Sequence, residues 1–493
     1  MSYTRLRIAA PLAAAVLIGG GLTALSLAPA QAATAGKADR VDDFNGDGYA
    51  DLVSAAPGGT VSGKAAAGYV AVTYGSASGI DPARKKLLSR STTGVPGSAT
   101  AKQSFGQYVT KGDLDGDGFT DLVIGSRAAD AGSVIVWGSA AGLTGGTAVN
   151  TYGRSPQAGD FDGDGKTDLA LFAGITSYGD DPVDQQAALW KGPISRAGAP
   201  AAKGDFIDKS QWWGYTADGA ACNDTDECVD GPHSISGPVT ARAVGDVNGD
   251  GLDDIAIWAY YGDGSNENSV LYGGKTGFKK GWAPGSHGSL ALGDVDGDGY
   301  ADAVTANGDG SNGDETDGKV TISFGTAAGL SQSRTQTFDQ SLPGFYGAQE
   351  DGDALGSCIS VADVTGDGKA EVALGIAGED FGGKTDAGSF ALLQGTATGV
   401  TGTGSQVYNQ NSPDVPGVAE TGDAFGAACQ LLDLNGDGHR DLAVSSTAEN
   451  ASSGAVWAFR GTATGVTTAG SVAVNPTDLA APVTKALLGN PLR

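Results

Sequence analysis

A chain of 493 residues with 57 acidic against 30 basic side chains, and a formal charge of −27, is poorly suited to follow a nucleic-acid backbone or to dock on an anionic lipid surface. It is too long for one ordinary core, yet no linker divides it, which points to repeated units that each pack only on their neighbours.

The chain opens with Arg5 and Arg7, an apolar stretch over residues 8–27, and Ala30-Gln31-Ala32. Basic start, apolar run and small-residue exit read as a secretory signal peptide cut after Ala32, leaving residues 33–493 as a secreted, extracellular monomer. No other segment is long and apolar enough to span a bilayer. Four cysteines fit an oxidising compartment.

Seven nine-residue segments then recur, spaced 47 to 86 residues apart, with the pattern Asp-x-[Asp/Asn/Thr]-Gly-Asp-Gly-x-x-[Asp/Glu]. Positions 1, 3, 5, 7 and 9 are Asp43, Asn45, Asp47, Tyr49 and Asp51 in the first. They are Asp113, Asp115, Asp117, Phe119 and Asp121 in the second, and Asp160, Asp162, Asp164, Lys166 and Asp168 in the third. The fourth has Asp246, Asn248, Asp250, Leu252 and Asp254, and the fifth Asp294, Asp296, Asp298, Tyr300 and Asp302. The sixth has Asp363, Thr365, Asp367, Lys369 and Glu371, and the seventh Asp433, Asn435, Asp437, His439 and Asp441.

Calcium takes six to eight oxygen ligands in flexible geometry. Side chains at positions 1, 3 and 5, the carbonyl at 7 and the acid at 9 can converge on one ion, and Gly at position 6 suits the sharp turn beneath it. One copy alone would pass for an acidic surface turn; seven copies at one spacing do not. An EF-hand needs Glu at position 12 and a following helix, whereas short apolar runs such as Leu122-Val123-Ile124-Gly125 follow here and read as buried strands. The expectation is up to seven structural Ca²⁺ ions, with the Thr365/Glu371 loop the weakest.

Between loops the chain repeats one plan. A strand enters the loop and a second leaves it; a third follows, such as residues 133–137, then a Gly-[Ser/Thr]-Ala-x-Gly turn at 75–80, 138–143, 325–330, 395–400 and 461–466, looser at 273–278, and a weaker fourth strand. Four antiparallel strands in each of seven units predict an all-β, seven-bladed β-propeller over residues 33–493.

The doublets Phe105-Gly106, Leu355-Gly356 and Phe425-Gly426 place Gly seven residues before the first Asp of a loop. With the loops, they resemble the FG-GAP repeats of the integrin α-subunit N-terminal propeller and its bacterial relatives. The resemblance implies calcium bound within the blades and ligand recognition on the opposite face. It is approximate at Ala35-Gly36 and Tyr152-Gly153, and the doublet is missing before the fourth and fifth loops. Near the end, Ala486-Leu487-Leu488-Gly489 echoes it without a loop, so the tail is expected to dock beside the first blade and close the ring.

Strand parity puts the Asp-rich loops and the Gly turns on one face and the long inserts on the other. The largest insert, 193–238, carries Trp212, Trp213, Tyr215, His233 and the pair Cys222/Cys228, which are expected to bridge; Tyr260 and Tyr261 begin another. Cys358 and Cys429 hold near-equivalent places in successive repeats and either bridge or stay as buried thiols. Aromatics beside acids and amides suit an extracellular glycan or protein ligand. The other reading, a polysaccharide lyase or hydrolase, finds only three histidines and neither a Gly-x-Ser-x-Gly nor a His-Glu-x-x-His motif, so no catalytic residue is assigned.

Overall fold

The computed structural model describes residues 42–175, 179–220, 229–285, 288–307 and 318–493. The expected bridge between Cys222 and Cys228, and the signal segment, lie outside these residues.

Seven antiparallel sheets follow one another along the chain. Blade 2 shows the plan: Phe105–Gly112 enters the loop, Asp121–Ser126 leaves it, Ser133–Trp137 returns, and Thr144–Val149 forms the outer edge. Blades 4 to 7 repeat it, each with four strands. Burial follows strand order. The second strand is buried along its whole length in blades 1, 2, 3, 5, 6 and 7, which is why it reads as an unbroken apolar run. The fourth is the polar rim, as in Thr144–Val149 and Lys279–Trp282.

Six buried clusters each straddle two successive blades, so no sheet has a core of its own and stability is shared between neighbours. The first strands pack side by side around a central channel lined by Gln107, Ser155, Thr240, Ser289, Ser357 and Arg493, among others.

Blade 1 has three strands in sequence, Leu52–Ala56, Tyr69–Thr73 and Lys85–Leu88. Its innermost partner comes from the far end of the chain. Val53 and Arg493 exchange backbone hydrogen bonds of 2.8 and 3.0 Å, and the Ala55 N–H donates to Pro491 O at 3.0 Å. The tail thus closes the ring, as expected. The glycines explain the echo of the doublet. Gly68, Gly388 and Gly454 begin third strands with φ of 82–84°, and a Cβ there would lie 2.4–2.5 Å from the backbone nitrogen of Phe105, Phe425 and Leu488 respectively. Leu488-Gly489 therefore fills the slot that a Phe-Gly doublet fills elsewhere, and only glycine permits that approach.

Cys358 and Cys429 form a disulfide between the first strands of blades 6 and 7, with Cα atoms 5.7 Å apart. Converting both to Ser should cost about 2–4 kcal/mol, measured by chemical denaturation, since the bridge closes a 71-residue separation. A loss below about 0.5 kcal/mol would show the blade contacts alone suffice.

Candidate metal loops and the aromatic insert

All seven loops share one internal geometry. The first Asp is caught by the loop's own backbone: Asp113 Oδ1 accepts from Gly116 N at 2.9 Å and Asp117 N at 3.1 Å, and Oδ2 from Gly118 N at 2.9 Å. The same three bonds recur at Asp43, Asp160, Asp246, Asp294, Asp363 and Asp433. Both loop glycines have positive φ in every copy; a Cβ on Gly118 would meet nothing, so backbone conformation alone demands glycine there.

The ninth residue is buried and does two jobs. One oxygen of Asp121 accepts Leu114 N at 2.9 Å, closing the loop; the other accepts Gly138 N at 2.8 Å, tying the loop to the turn between strands three and four. Asp51, Asp254, Asp302 and Asp441 repeat both bonds. In blade 3 the tie goes to Gly192, in the segment Lys191-Gly192-Pro193 that lacks the Gly-[Ser/Thr]-Ala signature. In the sixth loop Glu371 turns inward on its own loop, accepting from Val364 N, Thr365 N and Thr365 Oγ1.

Burial pushes all seven ninth-position acids up to about 7, against backbone hydrogen bonds that lower them. Neighbouring loop carboxylates add to the rise. Three loops bring carboxylate oxygens within 4.8 Å of one another: Asp113, Asp115 and Asp121; Asp160, Asp162 and Asp168; Asp294, Asp296 and Asp302. Asp168 is fully buried, and its Oδ2 accepts no hydrogen bond among the described residues. A buried carboxylate oxygen beside two further carboxylates and short of a partner fits a hard, oxygen-seeking cation.

Two features were not legible in sequence. The loops are chained: the position-8 N–H of one loop donates to the position-1 carbonyl of the loop before, as in Ala50 N to Asp433 O (3.0 Å), Thr120 N to Asp43 O (3.1 Å) and Ala301 N to Asp246 O (2.8 Å). Position-7 side chains pack on the preceding loop's first glycine, Phe119 on Gly46 and Tyr300 on Gly249. His439 does the same at Gly366 and holds its Nδ1 3.0 Å from Val364 O, a packing role. Second, basic side chains lean on the outer oxygens at positions 3 and 5. Arg196 reaches Asp115 and Asp117 at 2.6 Å each, Arg84 reaches Asp47 at 2.9 Å, Lys191 reaches Asp162 at 2.7 Å, and Arg334 reaches Asp296 and Asp298.

The insert differs from expectation. Its described part first supplies the fourth strand of blade 3, Pro200–Gly204, then reaches the outer strand of blade 4, and returns as Ser234–Gly237 to pair with the third strand of blade 3. Phe206 and Ile207 are fully buried, Ile207 bridges Phe278, and Lys280 is held by Gln211 and Asp230. Trp212 packs against this core and donates to Ile207 O, and Tyr215 shares a hydrogen bond with Ser234, so both are anchors. Tyr260 is likewise turned in, 7% exposed, its hydroxyl donating to Asp180 O. His233 is exposed and its carbonyl accepts Ala187 N. Trp213 (49% exposed) and Tyr261 (38%) remain open, joined by Trp282 (39%), which sequence reasoning had not singled out.

A model described as FG-GAP repeat matches residues 36–73, 240–273, 356–393 and 425–459, and one described as FG-GAP-like repeat matches residues 113–171. The chain carries FG-GAP repeats. The FG-GAP matches fall on blades whose loops and glycines are described above. No curated protein gives a significant match. Among solved structures, the FG-GAP propeller is similar to the BP39L lectin from Burkholderia pseudomallei, with 14% identity, 84% of this chain and 96% of that chain covered, and a TM-score of 0.41. It is similar to BBS1N in complex with ARL6DN at 14% identity, covering 77% and 82% with a TM-score of 0.37. AofleA from Arthrobotrys oligospora matches at 10% identity, covering 77% and 91% with a TM-score of 0.38.

Proposed function

We propose that the protein is a secreted, calcium-stabilised propeller that binds an extracellular glycan or protein, with calcium in a structural role. The observation that carries the calcium half is the buried, partnerless Oδ2 of Asp168 beside Asp160 and Asp162. At positions 1, 3, 5, 7 and 9 the seven loops offer carboxylates, amides and carbonyls of the kind Ca²⁺ takes. The Glu371 loop binds least tightly, because Thr365 offers a hydroxyl where the other loops offer a carboxylate or an amide oxygen. Equilibrium dialysis should count six or seven ions; two or fewer would make most loops ordinary turns.

Binding is supported by the open aromatic surface where the insert meets blade 4. Trp213 N–H donates to Asp230 O, Asp230 pairs with Lys280 at 3.0 Å, Lys280 Nζ lies 5.7 Å from the centre of the Tyr261 ring, and Trp282 pairs across from Ser269. Amphipathic rings beside charged groups suit sugars or a polar protein patch. Trp213→Ala should weaken retention on a panel of purified glycans and extracellular proteins at least tenfold while changing stability by less than about 0.5 kcal/mol. Trp212→Ala should do the reverse, costing about 2–4 kcal/mol through lost packing. Equal retention by Trp213→Ala, or turnover of any panel member, would overturn this reading.

A further inference from the structure

The FG-GAP propeller carries a second kind of oxygen cluster, away from the Asp-rich loops. Gln340 and Gln410 sit two residues beyond the fourth strands of blades 5 and 6, Thr335–Phe338 and Gly399–Tyr408. Both are buried, at 3% and 2% exposure. Each donates Nε2 to a glutamate three residues beyond the second strand of the next blade: Gln340 to Glu379 at 3.3 Å and Gln410 to Glu449 at 2.8 Å. Beside each glutamate lies an aspartate just before the next doublet, Asp353 by Glu379 and Asp423 by Glu449, both aspartates 4% exposed. Asp353 takes a hydrogen bond from Gln340 and repels Glu379; Asp423 repels Glu449.

Two further facts separate these clefts from ordinary acidic turns. Gln340 Oε1 and Gln410 Oε1 are buried and accept no hydrogen bond among the described residues, although their amides are directed into the carboxylates. A buried amide oxygen calls for a donor or a cation. The equivalent cleft between blades 1 and 2 shows which. Ser104, Ala354 and Ala424 share φ of 52–55° and mark corresponding positions. There, Arg90 stands in place of the glutamine, Gln103 in place of the aspartate, and the guanidinium fills the cleft, donating to Pro96 O, Ala131 O and Gly132 O at 2.8–2.9 Å. Where the chain supplies its own cation the acid pair is absent. Where the acid pair is present, no Lys or Arg forms an ion pair with Asp353, Glu379, Asp423 or Glu449 among the described residues; Lys384 only exerts a field on Asp423.

We propose that the clefts between blades 5 and 6 and between blades 6 and 7 each bind one divalent cation, the glutamine amide turning over so that Oε1 takes the place Nε2 holds in the cation-free fold; the ligands are then Asp353, Glu379 and Gln340 Oε1 in one cleft and Asp423, Glu449 and Gln410 Oε1 in the other. Two carboxylates and an amide carbonyl form an oxygen set suited to calcium, completed by water or backbone carbonyls. The strand connections that hold these residues lie on the face opposite the Asp-rich loops.

The test is calcium counting by equilibrium dialysis on the full chain. Glu379→Gln with Glu449→Gln should bind two ions fewer than the unmodified protein. Gln340→Met with Gln410→Met keeps both acid pairs and should weaken the same two ions about tenfold. Near-UV circular dichroism establishes that each variant is folded. An unchanged count in the folded glutamate double variant, or an unchanged affinity for all ions in the folded glutamine double variant, would overturn the proposal, leaving each acid pair to share a proton. The difference between proteins reads these two sites whatever the total, so a low count for the Asp-rich loops leaves the result interpretable.

Discussion

Removing calcium with EDTA at pH 8 should lower Tm by more than about 15 °C, and lowering the pH of the metal-free protein to 5 should recover part of that loss. Both effects come from the ninth-position acids. In the metal-free fold burial raises Asp51, Asp121, Asp168, Asp254, Asp302, Glu371 and Asp441 to about 7, from 3.8 for aspartate and 4.5 for glutamate. A group raised in the folded state contributes stability that is fully present below its unfolded pKa, near 4, and is lost as pH rises through about 7. Metal-free Tm should therefore fall steadily between pH 5 and 8. Each buried carboxylate is therefore costly to ionise in the metal-free fold, and a proton or a cation relieves that cost. Calcium at 100 times its Kd adds about 2.7 kcal/mol at any site it fills. Calcium titration at pH 6.5 should also release protons, because the ion displaces them. A metal-free Tm that is flat or rises from pH 5 to 8 would show that burial of these acids does not govern stability.

The chained hydrogen bonds add a consequence. Thr120 N is held by Asp43 O and Ala50 N by Asp433 O, so a loop that loses its ion loosens the next. Calcium-dependent unfolding should thus be steeper than seven independent sites would give.

How much of this was readable in advance follows from which constraints are local. Five candidate oxygen ligands drawn from one short loop require acids and glycines at fixed spacing, so the loops, and with them the blade count, stood out. The strands did too, because burial on both faces leaves an apolar run such as Leu122-Val123-Ile124. Contacts between units leave no such spacing. Nothing near Arg196 in sequence indicates that it reaches Asp115, 81 residues away, or that Gln340 meets Glu379 across a blade boundary. The glutamine clefts emerge only when three interblade connections are laid over one another in space. Tyr260 misled for a related reason: an aromatic beside Gly and Asp reads as displayed, but its side chain is buried and its hydroxyl donates to Asp180 O, 80 residues away. The echo at Leu488-Gly489 was legible because one approach, a glycine just before a third strand against the doublet of the next unit, recurs at Gly68, Gly388 and Gly454.

That echo sets up the other large effect. Deleting residues 486–493 should leave a protein without a cooperative unfolding transition at 37 °C, even in excess calcium. The deletion removes the tail segment that pairs with the inner edge of blade 1 and with it Ala486, Leu488 and Leu492, each at most 1% exposed. It also breaks bonds from Val53 N to Arg493 O, Arg493 N to Val53 O, Ala55 N to Pro491 O and Gly489 N to Ala55 O. Two buried leucines contribute roughly 3–6 kcal/mol, and four backbone bonds about 4 more. The sum is comparable to the whole stability of a typical domain. The loss also lands where it is least repairable, because blade 1 then shows an unpaired strand edge to the channel and blade 7 loses a wall of its core. Leu492→Ala gives the graded version, about 2–5 kcal/mol, with the backbone pairing kept. If the truncated chain instead melts cooperatively within about 3 °C of the full protein, the tail strand is an ornament and the ring is held by its blade contacts alone.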